Sequence, residues 1–550
     1  MPSAYSGVID SITVGGAKVF IYIPDGIVLD RWTAPIITVY GNVPFTAESA
    51  YAKAIGSGLA AIAIAENACI AFMNPLGETW GVADVDVYHN LVGNTFAERP
   101  DNTWVNGKTR TGQYQGYLFR VVVIAEGAGA NFASEFLVSD SLYVTSGNPL
   151  NHRMPASVML FNPTVGPTDL AGQYGQEYPA VIVNGSAAIN NAYAGLNTGG
   201  RVSIQKSTII SGFDSSILLS GYNSIVGKVL RMQYNYAGVV ADAPSVSVCR
   251  LVDLVDYNAV GVEETVNEFR SLNNNGNGYV DMMYLMYVPE NLSREPGSIP
   301  VVFAFHGAGE KAEYYAKLTG WPQLGAKEGF VTVVLDQHLT INYTRTMEFI
   351  QMVLDTYDFI DLSRVYMTGF SMGSQKTWDV GVRSPRTFAA ISPWSVTATY
   401  STSVAAAFPQ QYVLPTLYLV GHGDYLSTWP RGQTAVFAHL FSINKHVEPY
   451  RYVASQGKFS SGNGSWGVEN WDAQVFIDRY SNSTAIARMN FFVNSEGEIY
   501  SILGDTSMQG HNLTVEDARL AWDFMKNFSR ADDGLIIGSV DTSVFDNTLG

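Results

Sequence analysis

"RVYMTGFSMGSQKTWDV", residues 364–380, decides how the chain is read. An apolar run ends at Phe370, a serine stands between Gly369 and Gly373, and a pattern of helical period follows at once. Glycines two residues before and after Ser371 remove the Cβ atoms that would collide if the backbone turned sharply from strand into helix. The stretch therefore predicts a strand, a strained turn that holds the Ser371 hydroxyl outward, and a helix. A serine so presented becomes a nucleophile only with a base, an acid to orient the base, and an oxyanion hole.

Downstream, "LPTLYLVGHGDYL" (414–426) places Asp424 just beyond a predicted strand, and "LGDTSMQGHNLTVEDARLAWDFMKNF" (503–528) places His511 in a loop before an amphipathic helix expected over 515–528. The chain order Ser, Asp, His is that of the α/β-hydrolases. An oxyanion hole needs backbone N–H groups aimed at the developing alkoxide. Met372, first in the helix after the serine, supplies one; the second is expected from "VVFAFHGAGE" (301–310), with Ala308 preferred and Gly307 the alternative. His306 in that run reads as an organiser of the loop. Trp394, in "ISPWSV", reads either as an aromatic against the acyl group or as a core tryptophan. The Gly/Ser-rich "SQGKFSSGNGSWGVENWD" (455–472) carries Trp466 and Trp471 and reads as a substrate lid or as plain loop packing. His422 lies two residues before Asp424, but no third ligand follows at a workable spacing, so no metal is expected.

The 550 residues exceed one compact core, and two domains are the natural division. With 15% charged residues and a net charge of −17, nucleic acid and anionic membrane are poor partners. The longest apolar stretch, residues 58–73, is interrupted by Glu66 and Asn67 and falls short of a membrane span. Cys69 and Cys249 sit in apolar runs as buried free thiols do, which leaves no disulfide framework. The charge-poor, Tyr/Asn/Ser/Gly-rich composition fits an exported bacterial protein in mature form. A cytosolic protein is the alternative, because "MPSAYSGVID" has no secretory leader features.

Strand-like and helical segments alternate along the chain, which predicts an α/β fold with a mainly parallel sheet. The same order of signals occurs twice. "MMYLMYVPENL", "IPVVFAFHGAGEKAEYYAKL", "EGFVTVVLD", the Ser371 stretch, "FAAISPWS" and "LPTLYLVGHGD" follow one another in the second half. In the first half the corresponding series is "AKVFIYIPDGI", "APIITVYGNVPFTAESAYAKAI", "ACIAFMNP", "FRVVVIAEGAGANFASEFLV", "PASVMLFNP" and "YPAVIVNGSAA". We read a duplicated unit, with residues 1–255 as one domain, 256–280 as a linker around "FRSLNNNGNGYVD", and 281–550 as the other. In that alignment Gly127 falls at Ser371 and Ala188 near Asp424, so the first domain is expected to be catalytically degenerate. It could brace its partner domain, supply cleft wall, or mediate a homo-oligomer. "RVVVIAEGAGANFA" also approximates a dinucleotide fingerprint, but Phe132 occupies its third glycine position.

Across residues 280–530 the ordered set "FHGAGE", "GWPQLGAKEGFVTVVLD", "SRVYMTGFSMGSQKTWDV", "FAAISPWS", "GHGD" and "GHN" followed by "RLAWDFMKNF" resembles the polyhydroxybutyrate depolymerase and feruloyl esterase group of α/β-hydrolases. The resemblance implies a cofactor-free serine carboxylic-ester hydrolase forming an acyl-enzyme on Ser371, with His511 as base and Asp424 as its orienter. Polyesters, feruloylated sugars and small acyl esters are the substrates it implies. One departure is Gly373-Ser374, where that group usually carries a glycine pair. Two other readings remain open: a serine peptidase of the prolyl-oligopeptidase type, for which the first half shows no propeller repeat, and a non-catalytic polymer- or glycan-binding protein.

Overall fold

The computed structural model describes residues 5–27, 34–96, 114, 116–138, 154–167, 177–197, 199–233, 249–308, 312–397, 409–421, 424, 433–448, 471–478, 486–506, 509, 511 and 513–546. These residues fall into two compact units, one within 1–254 and the other within 255–550.

The first unit is built on an eight-stranded sheet of β1 (Gly7–Val14), β2 (Ala17–Pro24), β3 (Pro35–Tyr40), β4 (Ile70–Met73), β5 (Tyr117–Glu126), β6 (Ser157–Phe161), β7 (Ala180–Val183) and β8 (Val202–Gln205). Its order is β1-β2-β4-β3-β5-β6-β7-β8. The β1–β2 and β2–β4 pairs are antiparallel and the rest parallel. The central strands "PIITVY", "SVMLF" and "AVIV" are buried along their whole length, as continuous β-branched runs are when both faces of a sheet are covered. A two-stranded ladder of β9 (Val229–Gln233) and β10 (Cys249–Asp253) completes the unit. Cys69 is buried and forms no disulfide.

The second unit holds a ten-stranded sheet of β11 (Val262–Leu272), β12 (Tyr279–Pro289), β13 (Ile299–Phe305), β14 (Val331–Leu335), β15 (Ile360–Phe370), β16 (Ala390–Trp394), β17 (Thr416–Gly421), β18 (Ala473–Asp478), β19 (Ile486–Val493) and β20 (Ile499–Thr506). Its order is β11-β12-β14-β13-β15-β16-β17-β20-β19-β18. From β11 to β20 this repeats the order and strand directions of the first sheet; the antiparallel pair β19–β18 is an addition at the far edge. The order, with a sharp turn after β15, is that of the α/β-hydrolase fold.

Residues 256–280 are not a free linker. They contain β11, which pairs with β12 along its full length, and Asn273 Oδ1 accepts from the N–H groups of Asn275 and Asn277 to close the hairpin. The Asn/Gly run that reads as a connection is a tight turn of the kind Asn favours. Among the described residues no helix is long and apolar enough to cross a membrane.

Candidate active site

The elbow follows from local sterics. β15 runs through the sheet centre and ends at Phe370; the helix Met372–Arg383 begins two residues later. Ser371 is the turn between them, at φ 54° and ψ −114°, a conformation costly for a residue with a Cβ. A Cβ on Gly369 would lie 2.4 Å from the Gly373 carbonyl oxygen, and one on Gly373 would lie 2.0 Å from that of Phe305. Both glycines are therefore required by backbone-to-backbone approach. The Ser371 N–H donates to the Trp394 carbonyl oxygen at 3.0 Å, which ties the apex to β16.

Three side chains from separate elements meet at this apex. His511 Nε2 lies 2.8 Å from Ser371 Oγ, and His511 Nδ1 lies 2.8 Å from Asp424 Oδ2. Asp424 follows β17 by three residues, and its N–H donates to the Gly421 carbonyl oxygen at 3.0 Å. His511 precedes the helix Val515–Met525, which starts in a reciprocal capping box: Thr514 Oγ1 accepts from Asp517 N, and Asp517 Oδ2 accepts from Thr514 N. That helix is three residues shorter than the predicted 515–528, its end tightening at Lys526–Phe528. Gln509 Nε2 also donates to Asp517 Oδ2 at 3.1 Å, so one carboxylate grips the chain on both sides of His511. Ser371, Asp424 and His511 are 7%, 2% and 3% exposed, and the Phe370 ring centroid packs 4.7 Å from that of His511. A hydroxyl, an imidazole and a carboxylate in this series can pass the hydroxyl proton to the imidazole while the carboxylate fixes the ring's tautomer.

Met372, half exposed, occupies the first helical position, where its N–H has no intrahelical acceptor. The stem of the Gly307–Ala308 turn lies directly against the elbow, since a Cβ on Gly373 would also come within 2.7 Å of the His306 carbonyl oxygen. Gly307 is buried and Ala308 exposed. The fully buried His306 organises this turn, with Nδ1 2.8 Å from the Gly307 carbonyl oxygen.

Trp394 is 2% exposed; its indole stacks on Trp321 at 6.1 Å and 15°, and its Nε1 donates to Ser392 Oγ at 3.0 Å. The tryptophan thus meets the apex through its carbonyl, with the ring in the core. Trp471 is half-buried against the apolar core of the second unit. Trp466 and His422 lie outside the described residues. Ser374 is fully buried and donates to the Val396 carbonyl oxygen, tying the first helical turn to the segment after β16. Among the described residues no group of three or more His, Cys, Asp or Glu side chains is arranged to hold a metal ion.

The first unit has an elbow at the matching place. Tyr40 pairs with Ala125 as Phe305 pairs with Gly369, so Gly127 corresponds to Ser371, and its φ of 55° and ψ of −120° are nearly the same. The Gly127 N–H donates to the Phe161 carbonyl oxygen at 2.9 Å, as Ser371 does to Trp394. At the counterpart of the Met372 N–H, the Ala128 N–H donates to Asn42 Oδ1 at 3.0 Å. A Cβ on Gly127 would lie 2.2 Å from that same oxygen, so a side-chain amide fills the space a nucleophile would need. Asn42 was not legible in advance, because the contact joins residues far apart in sequence.

No protein-family profile matches the chain. A bifunctional acetylxylan esterase/xylanase of Neocallimastix patriciarum is 30% identical over 149 residues, covering 25% of this chain and 21% of that protein; the chain thus spans about a fifth of the curated relative it matches. Among solved structures, an acetyl xylan esterase from Aspergillus awamori is 15% identical, with 48% of this chain and 99% of that one covered and a TM-score of 0.34. The feruloyl esterase module from Clostridium thermocellum, solved with sinapinate, is 14% identical, with 32% and 73% covered and a TM-score of 0.26.

Proposed function

We propose that the protein is a serine carboxylic-ester hydrolase working through an acyl-enzyme on Ser371. The observation that carries this reading is the unbroken series Ser371 Oγ, His511 Nε2, His511 Nδ1, Asp424 Oδ2, each link 2.8 Å, at a strained elbow. Ser371 Oγ attacks the acyl carbonyl as His511 Nε2 takes its proton, and Asp424 holds the imidazolium. The oxyanion accepts from the Met372 N–H and from the Ala308 or Gly307 N–H. Collapse transfers the proton from His511 to the leaving alkoxide; water then repeats the cycle on the acyl-enzyme. Polyester, feruloyl and small acyl esters are the candidate substrates. The partial likeness to an acetylxylan esterase/xylanase puts small acyl esters of polysaccharides first.

The first unit takes no chemical part in this reading. Gly127 replaces the serine, and Ala188 stands at the acid position, because Phe161 pairs with Val183 as Trp394 pairs with Leu419. Its largely parallel sheet also departs from the propeller a prolyl-oligopeptidase reading needs. An exported setting belongs to the same proposal, which cell fractionation would check. Mass spectrometry after treatment with a fluorophosphonate or quenched turnover of p-nitrophenyl acetate tests the reading. One adduct per chain, on the peptide holding Ser371, supports it; no adduct, or one elsewhere, refutes it.

A further inference from the structure

We propose that Asp336 and His338 are positioning residues for the oxyanion hole, fixing the turn that carries Gly307 and Ala308 against the Ser371 elbow; this rests on the esterase reading. Asp336 is the first residue after β14 and His338 the third; Asp336 is 3% exposed while His338 and His306 are fully buried. Asp336 Oδ1 accepts from the Ala312 N–H at 3.2 Å and stands 3.5 Å from His306 Nε2. One carboxylate oxygen therefore faces the chain on both sides of the turn, at residue 306 and at residue 312.

His338 holds the same stem from another direction. Its Nε2 lies 2.8 Å from the His306 carbonyl oxygen, and because a carbonyl only accepts, Nε2 carries the proton. Burial keeps the imidazole well below its ordinary pKa, helped by the neighbouring His306 and Lys376, so the ring is a neutral, single-tautomer donor. The His306 carbonyl is thereby confined between this N–H and the first turn of the Ser371 helix, where a Cβ on Gly373 would come within 2.7 Å of it. The next two residues carry the N–H groups assigned to the hole. Their direction relative to the Met372 N–H is set by how that carbonyl is held.

The first unit provides an internal control. Val39 pairs with Phe72 as Ala304 pairs with Val334, so with Tyr40 matched to Phe305 the residues Gly41, Asn42, Asn74 and Leu76 correspond to His306, Gly307, Asp336 and His338. Asn74 also clamps its loop, Oδ1 accepting from the Phe45 N–H at 2.6 Å and Nδ2 donating to the Phe45 carbonyl oxygen at 3.0 Å. A polar clamp after this strand is thus common to both units and serves the fold. The carboxylate and the two imidazoles occur in the unit that has the serine. In the other unit Gly41 and Leu76 stand in their places, and Asn42 covers the N–H that matches the Met372 donor.

The test compares wild type with His338→Leu, His338→Gln and Asp336→Asn, measuring kcat and KM for p-nitrophenyl acetate, the Ki of an aryl trifluoromethyl ketone, and Tm. The ketone adds to the serine and puts its oxyanion in the hole, so its Ki reports hole geometry that KM does not. His338→Leu is expected to lower kcat by roughly 10- to 100-fold and raise the ketone Ki in proportion, with KM within about twofold. His338→Gln keeps an N–H donor and is expected to recover most of the loss. Asp336→Asn keeps the Ala312 bond, as Asn74 keeps its own, and so tests the carboxylate in a folded protein even if His338→Leu unfolds. A coupled loss of kcat and ketone affinity in Asp336→Asn supports the proposal. Unchanged kcat and Ki in the folded variants, or losses that track Tm without the ketone Ki, overturn it. A wild type that turns over no ester and binds no ketone instead overturns the esterase reading on which it rests.

Discussion

A single backbone conformation presents the Ser371 hydroxyl to His511. The positive φ of Ser371 is tolerated because Gly369 and Gly373 let three backbone segments approach within distances that no Cβ would allow. Gly373→Ala is expected to push the Phe305–His306 carbonyls away from the elbow and lower kcat by at least about 100-fold, with a far smaller change in KM. Steady-state kinetics on p-nitrophenyl acetate would check this, and a variant within about threefold of wild type would contradict it. Lys376, one turn further along the helix, gives a pH signature. The side chain is half-buried while its ammonium, bonded to the Ile341 carbonyl oxygen at 2.5 Å, is withdrawn from water. That desolvation pushes its pKa down from 10.5 to about 8, against the pull of Asp379. Between those values the unfolded chain binds more protons than the folded one, so this group makes stability rise with pH across the window. Lys376→Met removes that rise, and urea unfolding at about pH 7 and about pH 10 should show the wild type gaining more than the variant. The meeting of Ser371, Asp424 and His511 was legible from sequence because each sits at a fixed place beside a strand end or helix start. Asp336, His338 and Gln509 were not, because nothing local to them marks the tertiary contacts they make.

At the level of elements, the same logic explains what the first elbow became. Glu126 immediately precedes Gly127 and is 8% exposed; Lys53, from the helix Ala47–Gly56, pairs with its Oε1 at 2.5 Å and lies 4.2 Å from the Phe213 ring centroid. A Cβ on Gly212 would stand 3.9 Å from both Glu126 Oε2 and Lys53 Nζ, so that glycine borders the ion pair. Lys53→Met leaves a buried carboxylate without its partner and is expected to cost about 3 kcal/mol. Lys53→Met/Glu126→Leu should regain most of that in equilibrium unfolding, and a cost below about 0.5 kcal/mol for the single variant would show that the pair contributes little. The β11–β12 hairpin was misread for a comparable reason. "VEETVNEFRSL" carries charge on an edge strand whose burial alternates, and such strands lack the continuous apolar signal of the buried ones beside them.

Across the whole chain, two sheets share one order and one set of strand directions, and that repeat was readable because the strand-and-turn signals come in the same sequence twice. The sequence did not reveal the antiparallel pair β18–β19, nor that Asn42 occupies the space above the first elbow. The two apices differ in one respect: one carries the Ser371 hydroxyl beside His511, and the other repeats the backbone with glycine at the apex. On the proposed function, ester hydrolysis resides at Ser371. Its most direct test is the rate of p-nitrophenyl acetate hydrolysis by wild type and Ser371→Ala at neutral pH with chelator present. Turnover by the wild type and a fall of roughly 10³-fold or more in the variant are expected. Equal rates in the two proteins would contradict the proposal.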